Sequence, residues 1–345
     1  MERAHTIPAT WYFDAGIAAA ERRQVFGASW LVAGRTDQVE APGSFITLNV
    51  AGEPLLIVRG DDGELRAFFN VCRHRAAPIL TEPCGAVTKL RCRYHGWTYD
   101  LCGRLRGTPE FDGVQDFRRE DNGLREIAVE VWGPLVGVSL SQPRQSLAEF
   151  LAPMPERTAE GLMGLQFVER REYDLNCNWK VYIDNYLDGG YHINTVHPGL
   201  AGMIDYSQYR TETFAFTSVQ TGPLTTAGGA VRSGMAQYWY AYPNFMLNLY
   251  DGVADTNLVL PQGPDRCRVV FDFYFADAGP AADPKFRSES LDVAHAVQLE
   301  DSGICEEVQR GLGSRAFDTG RFSVKRENAG YHFHRLLARS LYVAV

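Results

Sequence analysis

The sequence predicts an α+β chain of two domains, a small all-β domain and a larger one that mixes strands with helices. Three observations carry this. At 345 residues the chain exceeds the usual size of a single domain. Residues 44–140 are short apolar runs broken by turn chemistry. Beyond residue 157, aromatic strand candidates are followed by a long stretch with helical periodicity. With 45% hydrophobic and 22% charged residues, the composition is that of a globular protein with a sizeable core.

In chain order, residues 1–38 read as helical. Pro8 and Thr10 precede a stretch in which Ile17, Ala20, Val25 and Phe26 fall near helical spacing, with Glu21-Arg22-Arg23 on the other face. Trp30-Leu31-Val32-Ala33 begins a change of register. In the β region Ile46, Leu48 and Val50 alternate, Leu55-Leu56-Ile57-Val58 is a compact apolar run, and Asp61-Asp62-Gly63 signals a hairpin. Val129–Val131 and Leu135–Val138 read as its last strands, separated by Gly133-Pro134. Residues 141–157, with three prolines, read as a linker. Tyr238–Tyr242 and Arg268–Phe273 are strand candidates. Residues 286–312 predict a long helix, because Val293, Val297, Ile304, Val308 and Leu312 recur near a 3.6-residue period. Tyr331–Leu341 predicts a final helix. No repeat or low-complexity segment is present.

A net charge of −8 argues against nucleic acid as a partner and is compatible with a cationic substrate. No run of eighteen apolar residues exists, so no membrane span is expected. The start, Met1-Glu2-Arg3-Ala4-His5-Thr6, resembles neither a signal nor a transit peptide. Seven cysteines at scattered spacing do not form a secreted disulfide framework. A reducing cytoplasm is the expected location.

Two constellations carry chemistry. The first is Cys72-x-His74 and Cys92-x-x-His95, with seventeen residues between the pairs. Thiolate and imidazole both suit iron or zinc. Zinc sites usually draw two cysteines from one loop and two histidines from the next element. Here each loop supplies one of each. That order suits a [2Fe–2S] cluster with two cysteines on one iron and two histidines on the other, the Rieske arrangement, whose raised potential makes it an electron relay. Cys84, Cys102, Cys177, Cys267 and Cys305 fit neither loop and read as core or surface thiols.

The second constellation is Asp188, His192 and His197. Two histidines and a carboxylate that leave coordination positions open form the facial triad of non-haem Fe(II) oxygenases. On a regular α-helix, residues five apart lie about 140° apart and do not converge. A π-bulge, or a helix ending near Pro198, would bring them together. Asp188, four before His192, would share its helical face. Glu300 and Asp301, near the apolar face of the long helix, are both candidates for a third ligand. The lone histidines 5, 295, 332 and 334 are left outside the site. No G-x-G-x-x-G nucleotide fingerprint is present, so electrons must come from a separate reductase.

At these residues the chain resembles the oxygenase component of Rieske non-haem iron oxygenases, the ring-hydroxylating alpha subunits, over nearly its whole length. Cys72-Arg73-His74-Arg75 and Cys92-Arg93-Tyr94-His95-Gly96-Trp97 match the cluster loops. Asn178-Trp179-Lys180, Asp184–His192 and His197-Pro198 match the iron-binding segment. More narrowly, Tyr242–Asn248, Asp255–Pro261, Glu300-Asp301 and His332-Phe333-His334 resemble the choline monooxygenase branch, which acts on quaternary ammonium compounds.

The resemblance implies that Cys72, His74, Cys92 and His95 hold the cluster and that His192, His197 and Asp301 hold mononuclear Fe(II). It implies an all-β Rieske domain, residues 41–145, inserted into a helix-grip catalytic domain of residues 146–345 with a helical N-terminal segment, 1–40. It implies a homotrimer arranged head to tail and a separate NAD(P)H-dependent flavin or iron–sulfur reductase. Many members place a carboxylate that bridges two subunits three positions before the first histidine. Gly189 stands there, and Asp188, one step earlier, is the expected bridge.

The expected reaction is insertion of one oxygen of O2 into a C–H bond of a small choline- or betaine-like amine. A choline-like substrate would give a hydrated aldehyde, and an N-methyl group a hemiaminal that loses formaldehyde. Tyr238, Trp239, Tyr240 and Phe245, with Tyr242 and Tyr250, are the aromatic candidates to hold a cation. The alternative is an oxygenase for an aromatic or other apolar molecule.

Overall fold

A computed structural model describes residues 1–197, 203–225 and 232–342. Two compact units emerge. Phe26–Leu147 is one, and Met1–Val25 with Ala148–Val345 is the other, so the first is inserted in the sequence of the second.

The inserted unit is all-β. Strands β1 (Trp30–Arg35), β2 (Ser44–Val50), β3 (Glu53–Arg59), β4 (Leu65–Phe69) and β5 (Cys84–Ala86) join β9 (Glu126–Trp132) and β10 (Leu135–Ser139) in the order β1-β10-β9-β4-β3-β2-β5. Short strands β6 (Leu90–Arg91), β7 (Thr98–Tyr99) and β8 (Leu105–Gly107) form a second sheet. Leu56, Val58 and Phe68 pack with Trp97, Tyr99 and Leu101 in one core. The Asp61-Asp62-Gly63 turn joins β3 to β4, with Gly63 at φ +82°.

Trp30–Arg35 corrects the helical reading of residues 1–38. It pairs antiparallel with β10, and Trp30 and Leu31 are buried. Tertiary pairing of an apolar run overrides weak helical spacing. The boundary of this unit accordingly falls at residue 26 rather than 41.

In the second unit the N-terminal segment breaks into short pieces: a 3-10 turn at Ala9–Tyr12, α1 (Ala15–Ala20) and a π-helical turn at Glu21–Val25. Asp14 caps α1 by accepting the Ile17 N–H. The stretch read as a linker holds α2 (Leu147–Leu151) and the start of α3 (Met154–Leu162), because Leu147, Phe150, Leu151 and Met154 find buried places. Its sheet is antiparallel, in the order β11-β17-β16-β15-β14-β13-β12. The ranges are β11 (Leu165–Leu175), β12 (Arg210–Thr213), β13 (Thr217–Pro223), β14 (Met235–Ala241), β15 (Phe245–Tyr250), β16 (Val253–Pro261) and β17 (Cys267–Ala276).

Four helices complete the second unit: α4 (Trp179–Tyr186), α5 (Ile193–Val196), α6 (Pro284–Leu312) and α7 (Asn328–Tyr342). Helix α6 starts where the Asp283 carboxylate accepts the Lys285 N–H, with Pro284 as first helical residue. Helix α4 packs against α6 and β16, and α5 against α6. These contacts bring three distant stretches to one site.

Candidate active site

In the inserted unit, the two Cys/His loops share one backbone design. The Cys72 carbonyl accepts the Ala76 N–H at 3.0 Å, and the Cys92 carbonyl accepts the Gly96 N–H at 3.0 Å. The Cys72 N–H donates to the Ala77 carbonyl, and the Cys92 N–H to the Trp97 carbonyl, both at 2.8 Å. Each turn closes through a left-handed residue, Ala76 at φ +61° and Gly96 at φ +73°. Alanine accepts that conformation at a cost, which the matched loop geometry supports.

Cys72 and Cys92 are buried, whereas His74 and His95 are partly exposed at the rim. The His74 and His95 Nδ1 atoms lie 3.1 Å apart. The His74 ring stacks on Trp97 at 4.8 Å. The Tyr99 hydroxyl sits 3.4 Å from the Cys72 sulfur and accepts the Arg73 N–H.

In the second unit, α4 delivers Asn185 and ends at Leu187, and the chain then turns through Gly189 and Gly190, at φ +72° and +70°. Asp188 is thus near His192 through a glycine turn rather than a shared helical face. Its carboxylate accepts the N–H groups of Tyr191 (3.1 Å) and His192 (2.9 Å), and contacts His192 Nδ1 at 2.5 Å. Helix α5 is a single turn with His192 at its N-cap and His197 at its C-cap. The spacing of five is therefore resolved by a helix that ends at His197, without a π-bulge; Pro198 lies outside the described residues.

The two Nε2 atoms face each other at 3.0 Å. Asp301, from α6, places Oδ1 at 3.5 Å from His192 Nε2 and 3.2 Å from His197 Nε2. Asn185 Nδ2 donates to the same carboxylate oxygen at 2.7 Å. Glu300 takes the other side of His197, 2.7 Å from Nδ1. Among the described residues, His192, His197 and Asp301 are the group of three whose possible ligand atoms all lie within 4.8 Å of one another.

The carboxylates around the two imidazoles stabilise positive charge on the rings. Burial pushes the His192 imidazolium down, but hydrogen bonds to Asp188 and Asp301 outweigh it and raise its pKa to about 10. Burial also opposes the charge of Asp301, yet the two imidazoles hold its pKa down at about 2.

A cavity of about 190 Å3 opens on this triad. Tyr182, Tyr186, Tyr209, Tyr238, Tyr250 and Phe271 contribute aromatic walls, and Val293 and Val297 line the α6 side. Of the aromatic candidates, Tyr238 and Tyr250 line the cavity. Trp239, Tyr240 and Phe245 do not. Trp239 stacks on Phe214, and Tyr240 donates its hydroxyl to the Pro243 carbonyl and packs edge-on against Phe333. Phe245 is a core residue, as is Tyr242, whose hydroxyl meets Ser340. Alternation along β14 sends Trp239 to the face opposite Tyr238. Tyr240 shares that face with Tyr238 but lies further along, beneath α7.

Sequence reasoning missed Tyr182 and Tyr186, four apart on α4, and Tyr209, which stacks on Tyr238 at 6.4 Å. The i, i+4 spacing of Tyr182 and Tyr186 was the one readable signal.

A family model described as the ring hydroxylating alpha subunit (catalytic domain) matches residues 162–342, more than half of the chain. Another, the Rieske [2Fe-2S] domain, matches residues 29–118. The chain belongs to the Rieske oxygenases, the ring-hydroxylating alpha-subunit family. This oxygenase is 40% identical to the chloroplastic choline monooxygenase of Arabidopsis thaliana, over 99% of its own length and 84% of the relative's. It is 27% identical to the carnitine monooxygenase oxygenase subunit of Acinetobacter pittii, over 96% of its length and 92% of that subunit's. A solved quaternary ammonium Rieske monooxygenase, described in terms of carnitine oxidation and inter-subunit electron transfer, matches with a TM-score of 0.88. The identity there is 25%, covering 98% of this chain and 95% of that one.

Membership brings a Rieske [2Fe–2S] centre and a mononuclear iron, and the residues present fit both. The imidazoles of His192 and His197 each have a carboxylate on Nδ1 and turn Nε2 inward, the arrangement that orients metal-bound histidine. Each loop contributes one buried cysteine and one imidazole, and the two imidazole Nδ1 atoms lie 3.1 Å apart. Buried sulfurs behind a rim of imidazoles suit a two-iron cluster with one ligand pair on each iron.

Proposed function

We propose that this oxygenase is the oxygenase component of a monooxygenase that hydroxylates a C–H bond of a small quaternary ammonium substrate, choline- or betaine-like. The observation that carries this is the tyrosine-walled cavity opening on His192, His197 and Asp301. Aromatic faces attract a quaternary cation by roughly 0.5–2 kcal/mol each, and apolar walls accommodate its methyl groups. Choline and carnitine stand in the names of the relatives above.

In this reading Cys72, His74, Cys92 and His95 hold the cluster, and His192, His197 and Asp301 hold the iron. Iron held there would supply dioxygen activation, and the cluster would supply its electrons. The chain's own residues do the rest. Asp188 and Glu300 fix the tautomer of the two imidazoles by occupying their Nδ1 atoms. Asn185 orients Asp301. Tyr238 and its neighbours bind the cation so that one carbon faces the triad. Oxygen insertion beside the choline hydroxyl gives a hydrated aldehyde, and insertion into an N-methyl group gives a hemiaminal that releases formaldehyde.

Asp188, beside His192 and on the wall of the cavity, is the proposed bridging carboxylate between subunits of a homotrimer. The inter-subunit electron transfer ascribed to the solved relative supports such an assembly. A separate NAD(P)H-dependent reductase is the proposed electron source, consistent with the "oxygenase subunit" in a relative's name. A reducing cytoplasm is the proposed compartment: none of the seven cysteines is in a disulfide, and no described helix is long and apolar enough to cross a membrane.

The test is product formation by the iron-loaded protein with a surrogate reductase on choline, carnitine and glycine betaine. Turnover of one amine, abolished in His192→Ala, is expected. Inactivity on all three with both centres intact would favour an apolar substrate.

A further inference from the structure

Among the described residues lining the cavity, Arg232 is the only lysine or arginine. It is held on three sides. Nε donates to Ser290 Oγ at 2.9 Å, Nη1 donates to Asp255 Oδ1 at 3.1 Å, and the guanidinium lies over the Tyr250 ring, 4.4 Å from its centroid. The second Asp255 oxygen is taken, accepting from Asn248 Nδ2 at 2.6 Å and Asn257 Nδ2 at 3.3 Å. These contacts fix the guanidinium plane and leave one end unanswered. Nη2 is buried and has no hydrogen-bond partner among the described residues. A buried charged donor without an acceptor is costly, and natural structures rarely leave one. Arg232 lines the cavity, so a shift of the guanidinium within its own plane would bring this donor to a ligand acceptor.

The position along α6 says which part of a ligand that is. Ser290, Val293, Ala294, Val297, Gln298 and Asp301 form one stripe of the helix on the cavity wall. Ser290 and Asp301 end this stripe, eleven residues apart, or about 16 Å along the axis. Arg232 is fastened at the Ser290 end, and the His192–His197–Asp301 group lies at the other. An acceptor that meets Nη2 is thus remote from the carbon presented to the triad.

We infer that Arg232 is a specificity-determining residue that binds a carboxylate of the substrate, so that the substrate is an extended zwitterion with its ammonium end toward the triad. This rests on the quaternary ammonium reading above and narrows it. Choline, whose hydroxyl is two carbons from nitrogen, offers neither the anion nor the reach. Guanidinium and carboxylate are matched planar groups, and even a single-nitrogen contact is strengthened by charge.

The experiment compares 4-(trimethylammonio)butyrate, its methyl ester and choline on the iron-loaded enzyme with a surrogate reductase. Calorimetric binding of the same compounds, and of butyrate, gives a readout independent of turnover. The wild type should prefer acid over ester by about tenfold or more in kcat/KM and in affinity. In Arg232→Gln that preference should collapse toward one, with partial recovery in Arg232→Lys. Unchanged iron content and Tm show that a variant is folded. Where Arg232→Gln does not fold, the wild-type ratio decides alone.

An acid-to-ester ratio near one in the wild type, or an undiminished ratio in folded Arg232→Gln, overturns the inference. If choline, acid and ester turn over alike, the amine reading stands and the role of Arg232 falls. If butyrate binds as tightly as the zwitterion and depends on Arg232, the carboxylate contact stands and the amine reading falls. Binding of none of these compounds overturns both.

Discussion

His197 meets Asp301 at Nε2 and Glu300 at Nδ1, so adjacent residues of one helix serve both nitrogens of one ring. Residue-type chemistry marked both carboxylates as candidates, and only the path of α6 past α5 assigns them separate roles. Glu300→Gln should leave the protein folded and weaken mononuclear iron binding by about 10–100-fold, the usual effect of losing such a partner. A chelator competition that follows iron loss will measure it. Gly189→Ala should act through the backbone. The residue has a positive φ, and an added Cβ would collide with the Arg326 carbonyl. Lower Tm and lower mononuclear iron content are expected together, because the same turn carries Asp188 to His192. His192, His197 and the Glu300-Asp301 pair could be singled out because their chemistry survives without geometry, but which carboxylate meets both Nε2 atoms could not be read from the sequence. The cavity wall was less legible: an aromatic on a strand reads the same whether it faces a cavity or the core. That is why Trp239, Tyr240 and Phe245 looked as eligible as Tyr238.

Helix α4 carries Asn185, Tyr182 and Tyr186 to the cavity, and it is anchored by a buried ion pair. Lys180 Nζ lies 2.6 Å from Glu21 Oε1 with both side chains essentially buried, and Trp179 Nε1 donates to Glu21 Oε2 at 2.9 Å. Glu21→Gln should therefore destabilise by about 3–5 kcal/mol, since it strands the Lys180 charge; urea denaturation at pH 7 is the measurement. Burial depresses the Lys180 pKa, and Glu21 opposes that depression. A lysine depressed in the fold leaves the unfolded chain binding more protons below the unfolded lysine value, so its contribution to stability rises with pH there. The rise between pH 7 and pH 9 should be steeper in Glu21→Gln than in the parent. Neither the pair nor the π-helical turn that presents Glu21 was visible in the sequence. Their partners are 159 positions apart, and local spacing said only that Glu21-Arg22-Arg23 formed a polar face. The long helix, by contrast, was read to within two residues at its start, because its apolar period is sustained over many turns.

At the scale of the molecule, an all-β unit occupies the middle of a chain whose two ends build the other unit. The β character of that unit was legible in its alternation and turn residues. Its edge was not, because β1 is defined by pairing with β10, more than a hundred positions away. The division of the proposed chemistry follows the division of the fold. Cys72, His74, Cys92 and His95 all lie in one unit, and His192, His197 and Asp301 in the other. Losing the ligands of one centre should therefore spare the other. The most direct measurement is the iron content and EPR spectrum of the reduced protein, compared with His192→Ala and Cys92→Ser. The parent should show a Rieske signal and one iron more than the cluster accounts for. His192→Ala should keep the signal and lose the extra iron, whereas Cys92→Ser should lose the signal. Zinc in place of iron in protein produced with iron available, or loss of the Rieske signal in His192→Ala, would contradict the assignment.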